Sequence, residues 1–263
     1  MTRVVRRLRG GGLSWLVSAV ADRVSPARPA MRPAVAAATT GGHGLEIGGP
    51  SRVFTARGAL PVYPHAGRMD NVNFATQTAW EQGLQDGGPF RFDPNRTPGT
   101  QWLREAVALT GLPDAGFDFI ASSHCLEHVA NPLRALREWH RVTRPGGHLI
   151  LVLPDPERTF DHRRTVTTLA HLQEDFARDT REDDLTHAEE AIARHDLDRD
   201  PGVGSSDEFR ARVRANAQNR CLHHHVFTLE LMTAALRAAG WTVLAAEKAR
   251  PLHLLALARK ESA

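Results

Sequence analysis

The segment from Phe117 to Leu153 most constrains what this chain can fold into. A compact apolar run, Phe117 to Ala121, is followed by a polar turn with a short helix, Ser122 to His128. Asn131-Pro132 then supplies an N-cap with proline at the first helical position. The helix Pro132 to Thr143 is expected to carry Leu133, Leu136 and His140 on one stripe, with Trp139 and Val142 beside it. Pro145-Gly146-Gly147 stops it, and His148 to Leu153 is apolar at every position after the first, as a strand covered on both faces must be. A strand, a crossover helix and a second buried strand require a parallel pair.

The rest of the chain repeats that alternation. Leu45 to Ile47 runs into Gly48-Gly49-Pro50, as a buried strand ends at a tight turn, and Leu60 to Tyr63 reads as a second strand. Asn73 to Gln85 is predicted helical, and Leu103 to Leu109 fits helix or strand. Near the carboxyl terminus Thr228 caps a helix through Ala239, Gly240 ends it, and strands Trp241 to Ala246 and Leu252 to Ala258 meet around Pro251. The expected fold is α/β: a Rossmann-like, mainly parallel sheet flanked by helices, with a terminal antiparallel hairpin and a helical insertion.

Four segments follow. Residues 1–40 hold a basic amphipathic helix, with Leu13, Leu16, Val17, Val20 and Val24 at helical spacing, and a Pro/Ala-rich linker. Residues 41–154 form the core, 155–224 a polar His-rich insertion placed as a substrate lid, and 225–263 the final helix and hairpin.

At 263 residues, with 41% hydrophobic and 24% charged residues, the chain has the composition of a globular domain. Its formal net charge is only +3 and its basic residues are spread along the chain, so no nucleic-acid groove is expected. Cys125 and Cys221 form no CxxC pair, and no stretch of about 20 apolar residues would span a bilayer. A cytoplasmic protein fits these features; the short apolar stretch Leu13 to Ala21 behind four arginines is weighed as a signal and set below the helix.

Leu45-Glu46-Ile47-Gly48-Gly49-Pro50 places a carboxylate inside the first strand and glycines at its exit, where backbone comes close to a ligand. The G-x-G-x-x-G pattern of a nicotinamide dinucleotide site is absent. Together with Phe117-Asp118-Phe119-Ile120-Ala121-Ser122-Ser123-His124-Cys125-Leu126-Glu127-His128, Asn131-Pro132-Leu133 and Arg144-Pro145-Gly146-Gly147, this turn resembles the class I S-adenosylmethionine-dependent methyltransferases, over about residues 44 to 154. The resemblance implies S-adenosylmethionine as cofactor. It implies that Glu46, Gly48 and Gly49 face the methionine part, that Asp70 takes the ribose hydroxyls, that Glu105 and Ala106 meet the adenine, and that Ser122, Ser123 and His124 line the methyl end. The sequence departs from the family at Pro50 and Arg52, where further glycines are usual.

The insertion and its exit hold His162, His171, His187, His195, His223, His224 and His225, half of the 14 histidines. They are open to three readings: a wall of the acceptor site carrying a general base, a metal site without a fixed spacing motif, and a polar lid. His225 is the first choice of base and His162 the second; no metal is assigned. The expected acceptor is a small molecule or glycan with hydroxyl groups. A non-methylating enzyme using the same cofactor and a non-catalytic binding module stay open as alternatives, and the oligomeric state is not read.

Overall fold

The computed structural model describes residues 28–78, 81–200 and 202–262. The amphipathic helix expected around residues 13 to 24 lies outside them. Helix α1 (Arg32–Thr39) leads into β1 (His43–Ile47) and β2 (Arg68–Asn73). A two-residue strand β3 (Pro89–Phe90) precedes β4 (Gly99–Leu103), β5 (Phe117–Ser123), α2 (Pro132–Val142) and β6 (Thr143–Pro154). The insertion contributes α3 (Leu169–Ala177), α4 (Ala188–Arg194), α5 (Ser206–Arg214) and α6 (Asn216–Asn219). The chain closes with α7 (Leu229–Ala238), β7 (Thr242–Ala249) and β8 (His253–Arg259).

All eight strands form one sheet in the order β3-β4-β2-β1-β5-β6-β8-β7. Strands β4, β2, β1, β5 and β6 run parallel, β8 returns antiparallel to β6, and β7 pairs antiparallel with β8. Alternation along the strands fills two apolar layers. On one face Leu45, Ile47, Leu149, Leu151 and Leu153 pack with Trp139 of α2 and Trp241 after α7. On the other, Phe119, Ile150, Val152 and Leu257 pack with Val35 of α1 and with Phe54 and Tyr63. The caps are as the residues predict: Asn131 accepts from the Arg134 amide at 3.1 Å, and Thr228 accepts from the Leu231 amide at 3.2 Å.

Three expectations are corrected. Leu60 to Tyr63 is not a strand, because the amides of Val62 and Tyr63 both donate to the Phe54 carbonyl and fold the run into a buried loop; the second parallel strand is Arg68–Asn73. The described part of Asn73 to Gln85 is turns and bends, with Thr78 accepting from the Glu81 amide, instead of a helix. The Pro/Ala-rich linker contains α1, which is part of the core: Val35 is 0% exposed, and the amides of Ala30 and Met31 donate to the Glu247 carboxylate of β7.

The insertion has a small core of its own from Ala188, Ala191, Val203, Phe209, Val213 and Leu222. It begins where β6 ends and returns to the sheet at Val226-Phe227, so it stands over the carboxyl ends of the central strands, the edge where open α/β sheets bind ligands. Among the described residues no helix is long and apolar enough to cross a membrane.

Candidate cofactor and acceptor site

Two neighbouring cavities open at the carboxyl ends of β1 and β5, and both are lined by Gly48. The turn between them is built from inside the sheet. Gly48 has φ +85°, a left-handed conformation that glycine adopts without strain. A Cβ on Gly49 would lie 2.2 Å from the Glu46 carboxyl carbon, so only glycine lets the backbone close over that acid. Asn71 brackets Gly49, accepting from its amide at 3.0 Å and donating to its carbonyl at 3.1 Å, and Asn73 donates to the same carbonyl.

Glu46 itself is 0% exposed. Tyr63 donates its hydroxyl to Oε2 at 2.7 Å and accepts the Ser51 amide, while Oε1 has no partner. Burial pushes the carboxyl up to about 7, against the lowering effect of the hydrogen bonds from Ser51 and Tyr63.

The first cavity is a narrow slot between Ile47, Val72, Asn73, Phe74, Glu105, Ala106, Cys125 and Val129. The Asn73 Oδ1 is a buried acceptor without a partner at its rim, at the end of β2. From the insertion, Arg220 covers the slot, donating to Glu105 Oε1 at 2.7 Å and lying over the Phe74 ring at 5.2 Å.

The second cavity, about 660 Å³, is lined by the loop from Pro50 to Ala59, by Ser123 and His124, and by Arg250, Pro251 and His253. His124 and His253 are bonded through Nε2 and Nδ1 at 3.0 Å, and His124 Nδ1 faces Glu127 at 3.7 Å. Burial lowers both imidazoles, to about 3 for His124, which the neighbouring His253 and His223 depress further, and to about 4 for His253; Glu127, also buried, is raised to about 7. Arg52, Arg57 and Arg250 stand exposed at this cavity with no side-chain partner among the described residues, and no carboxylate lines it.

The residues expected from the sequence are only partly gathered here. Gly48, Glu105 and Ala106 line the slot, Ser123 and His124 line the larger cavity, and Glu46 and Gly49 form the turn between them. Ser122 is buried in β5 and bonds the Ile47 carbonyl at 3.3 Å, tying β1 to β5. Asp70 lies mid-strand, opposite Leu45, where it takes His43, Arg68 and the Thr100 amide; it does not reach the slot. His225 and His162 line neither cavity: His225 is 2% exposed among His171, His187 and Asp175, and His162 is bonded to Asp196 at 2.8 Å. Asn73 and His253 were missed. An Asn at a strand end and a His in a hairpin have no signal of their own; the strand register alone would have found Asn73.

These groups fit a nucleoside joined to a cationic amino acid: a slot for a base, an unpartnered acceptor for a hydroxyl, and a glycine turn over a buried carboxylate. The comparisons agree. Residues 76–151 match the model of the methyltransferase domain family. A solved S-adenosylmethionine-dependent methyltransferase from Mesorhizobium loti is 18% identical, with 88% of this chain and 98% of that one covered and a TM-score of 0.50. One from Methanosarcina mazei is 14% identical, with the same coverages and a TM-score of 0.50. Among curated proteins, an uncharacterized 37.1 kDa protein in transposon TN4556 of Streptomyces fradiae is 46% identical over 44 residues, a match that spans 17% of this chain and 13% of that protein. The parallel sheet with its terminal antiparallel pair is the fold of the class I S-adenosylmethionine-dependent methyltransferases, and residues 76–151 within it match the methyltransferase domain.

Proposed function

We propose that the protein methylates a hydroxylated small molecule or glycan that carries an anionic group, bound in the 660 Å³ cavity beside the glycine turn. The observation that carries this reading is the pairing, in one cavity, of the neutral His124–His253 couple with three unpartnered arginines and no acid. Bound in the slot, the cofactor supplies a sulfonium methyl group that is already activated. The chain's task is then to orient the acceptor and to take its proton.

Glu105 and Ala106 are assigned to the adenine and Asn73 Oδ1 to a ribose hydroxyl, in place of Asp70. Gly48 and Gly49 hold the methionine end over the buried Glu46, whose charge favours the ammonium group. Ser123 and His124 line the larger cavity with Gly48, which both cavities share, and there the methyl group is to meet the acceptor. In the tautomer in which His253 Nδ1 donates to His124 Nε2, His253 Nε2 presents a lone pair to the acceptor hydroxyl. Low proton affinity keeps the couple unprotonated at neutral pH. As the acceptor oxygen takes the methyl group and the sulfur–methyl bond breaks, releasing S-adenosylhomocysteine, the hydroxyl proton would pass to His253 Nε2, with Glu127, 3.7 Å from His124, beside the couple that holds it. The arginines select the acceptor by charge, and Arg is suited to grip phosphate or carboxylate bidentately.

Calorimetry with S-adenosylmethionine and S-adenosylhomocysteine, followed by methyl transfer to matched hydroxylated acceptors with and without a phosphate or carboxylate, tests the proposal. Cofactor binding with at least tenfold preference for the charged acceptor is expected. Equal use of the neutral acceptor would reject the role of the arginines, and absence of cofactor binding would reject the slot.

A further inference from the structure

The seven histidines around the insertion are not scattered. His171 and Asp175 stand one turn apart on α3, His187 precedes α4, and His225 lies on the segment returning to α7. The ligand atoms of the three histidines lie within 4.8 Å of one another, and Asp175 stands beside two of them. His171 Nε2 is 2.9 Å from His187 Nε2 and 3.3 Å from Asp175 Oδ2, and His225 Nε2 is 3.7 Å from the same oxygen. The three rings surround one point, with centroids 4.9, 5.5 and 5.8 Å apart.

We propose that His171, His187, His225 and Asp175 form a tetrahedral zinc site that fastens the insertion to the methyltransferase core. Ligands held at roughly 2.0 to 2.2 Å from a tetrahedral zinc lie about 3.3 to 3.5 Å from one another, which the three measured separations bracket. Three imidazoles and one carboxylate suit zinc.

The surroundings are those of a ligand set. Asp175 Oδ2 is buried with no hydrogen-bond partner, while its other oxygen accepts the Thr180 hydroxyl at 3.0 Å, a contact that aims the free oxygen at the histidines. Asn131, the cap of α2, donates to the Asp175 carbonyl at 3.0 Å and fixes α3 against the core. A competing contact is the Ala130 carbonyl, 3.3 Å from His225 Nε2, which that nitrogen would leave on binding metal. With four protein ligands the site is closed, so its role is structural. It ties both ends of the 176–186 segment, which brings Glu182 to the slot, to the chain leading into α7 through His225.

A second cluster, Glu127, His128 and His223, offers only three ligands; Asp161 holds His223 Nδ1 at 2.5 Å. It serves as the control. The full-length protein, freed of any affinity tag, is analysed for metal, stripped with a chelator, and titrated with Zn²⁺ and with Co²⁺ as a spectroscopic probe. One equivalent of zinc is expected, with tetrahedral Co²⁺ ligand-field bands lacking a thiolate charge-transfer band, and a Tm that falls on stripping and recovers with Zn²⁺. His171→Ala and Asp175→Asn should lose the equivalent, whereas His223→Ala should retain it. Failure of the stripped wild-type protein to bind either metal more tightly than about 10 µM would overturn the proposal, whatever the variants do. So would retention of full zinc by His171→Ala, or its loss in His223→Ala alone.

Discussion

The sharpest consequence of the glycine turn is electrostatic and follows from Glu46. In the ligand-free protein its carboxyl is fully buried and titrates near 7, against an ordinary value of 4.5. A group raised in the folded state contributes stability that is complete below 4.5 and lost as pH rises through about 7, because the unfolded chain ionises it first. The interval is worth about 3 kcal/mol at about 1.4 kcal/mol per tenfold change in proton affinity, of which about 2.5 kcal/mol falls between pH 5 and pH 8. Glu46→Gln keeps the shape and an acceptor for Tyr63 but cannot ionise. Denaturant unfolding of both proteins at pH 5, 6, 7 and 8 is the assay. The variant's stability relative to wild type should rise across that range by about 2 to 3 kcal/mol. A cationic cofactor should reverse the preference, since it favours the ionised acid; wild-type affinity for S-adenosylmethionine should improve up to tenfold from pH 6 to pH 8, and that dependence should vanish in Glu46→Gln. Parallel stability curves for the two proteins would refute the burial argument.

Other outcomes are equally specific. Asn73→Ala should weaken S-adenosylmethionine about five- to tenfold, the worth of one net hydrogen bond, in calorimetric titration, while Asp70→Asn should alter Tm more than cofactor affinity. His253→Gln should lower turnover by roughly 10² to 10⁴-fold with cofactor affinity unchanged, read from single-turnover methyl transfer. Removing residues 1–39 takes away α1 and uncovers the layer around Val35, Phe119 and Ile150, so the truncated chain should be insoluble or should unfold several degrees below the full chain in a thermal melt.

The fold was legible where periodicity and punctuation agree. From Phe117 to Leu153 the apolar runs and the Asn131-Pro132 cap point to the strands and helix that are found there; the helix ends at Val142 and β6 begins at Thr143, so Pro145-Gly146-Gly147 lies inside the strand and does not stop the helix. Leu60 to Tyr63 misled because a buried loop wrapped over a sheet shows the same apolar run as a buried strand; what separates them is the pairing of Val62 and Tyr63 with Phe54, which composition does not carry. Asp70 shows a related effect: its residue type suits a ribose, but the pairing of Ile47 with Val72 fixes a register that leaves Asp70 mid-strand and brings Asn73 to the slot.

His223, His224 and His225 show how far residue type alone carries a functional reading. In sequence they form one block, inviting a single role for all three. In the folded chain the three side chains meet different partners. His223 turns to Asp161, which raises its proton affinity, whereas His224 meets the Asn216 amide, 3.0 Å away, and burial lowers it to about 4. His225 turns to His171, His187 and Asp175. One histidine is thus held by an acid, one by an amide, and one among two further imidazoles and a carboxylate. The residue best suited to take a proton from the acceptor, His253, stands outside the block, because a base must face the cavity, and the hairpin that carries it closes the edge of that cavity.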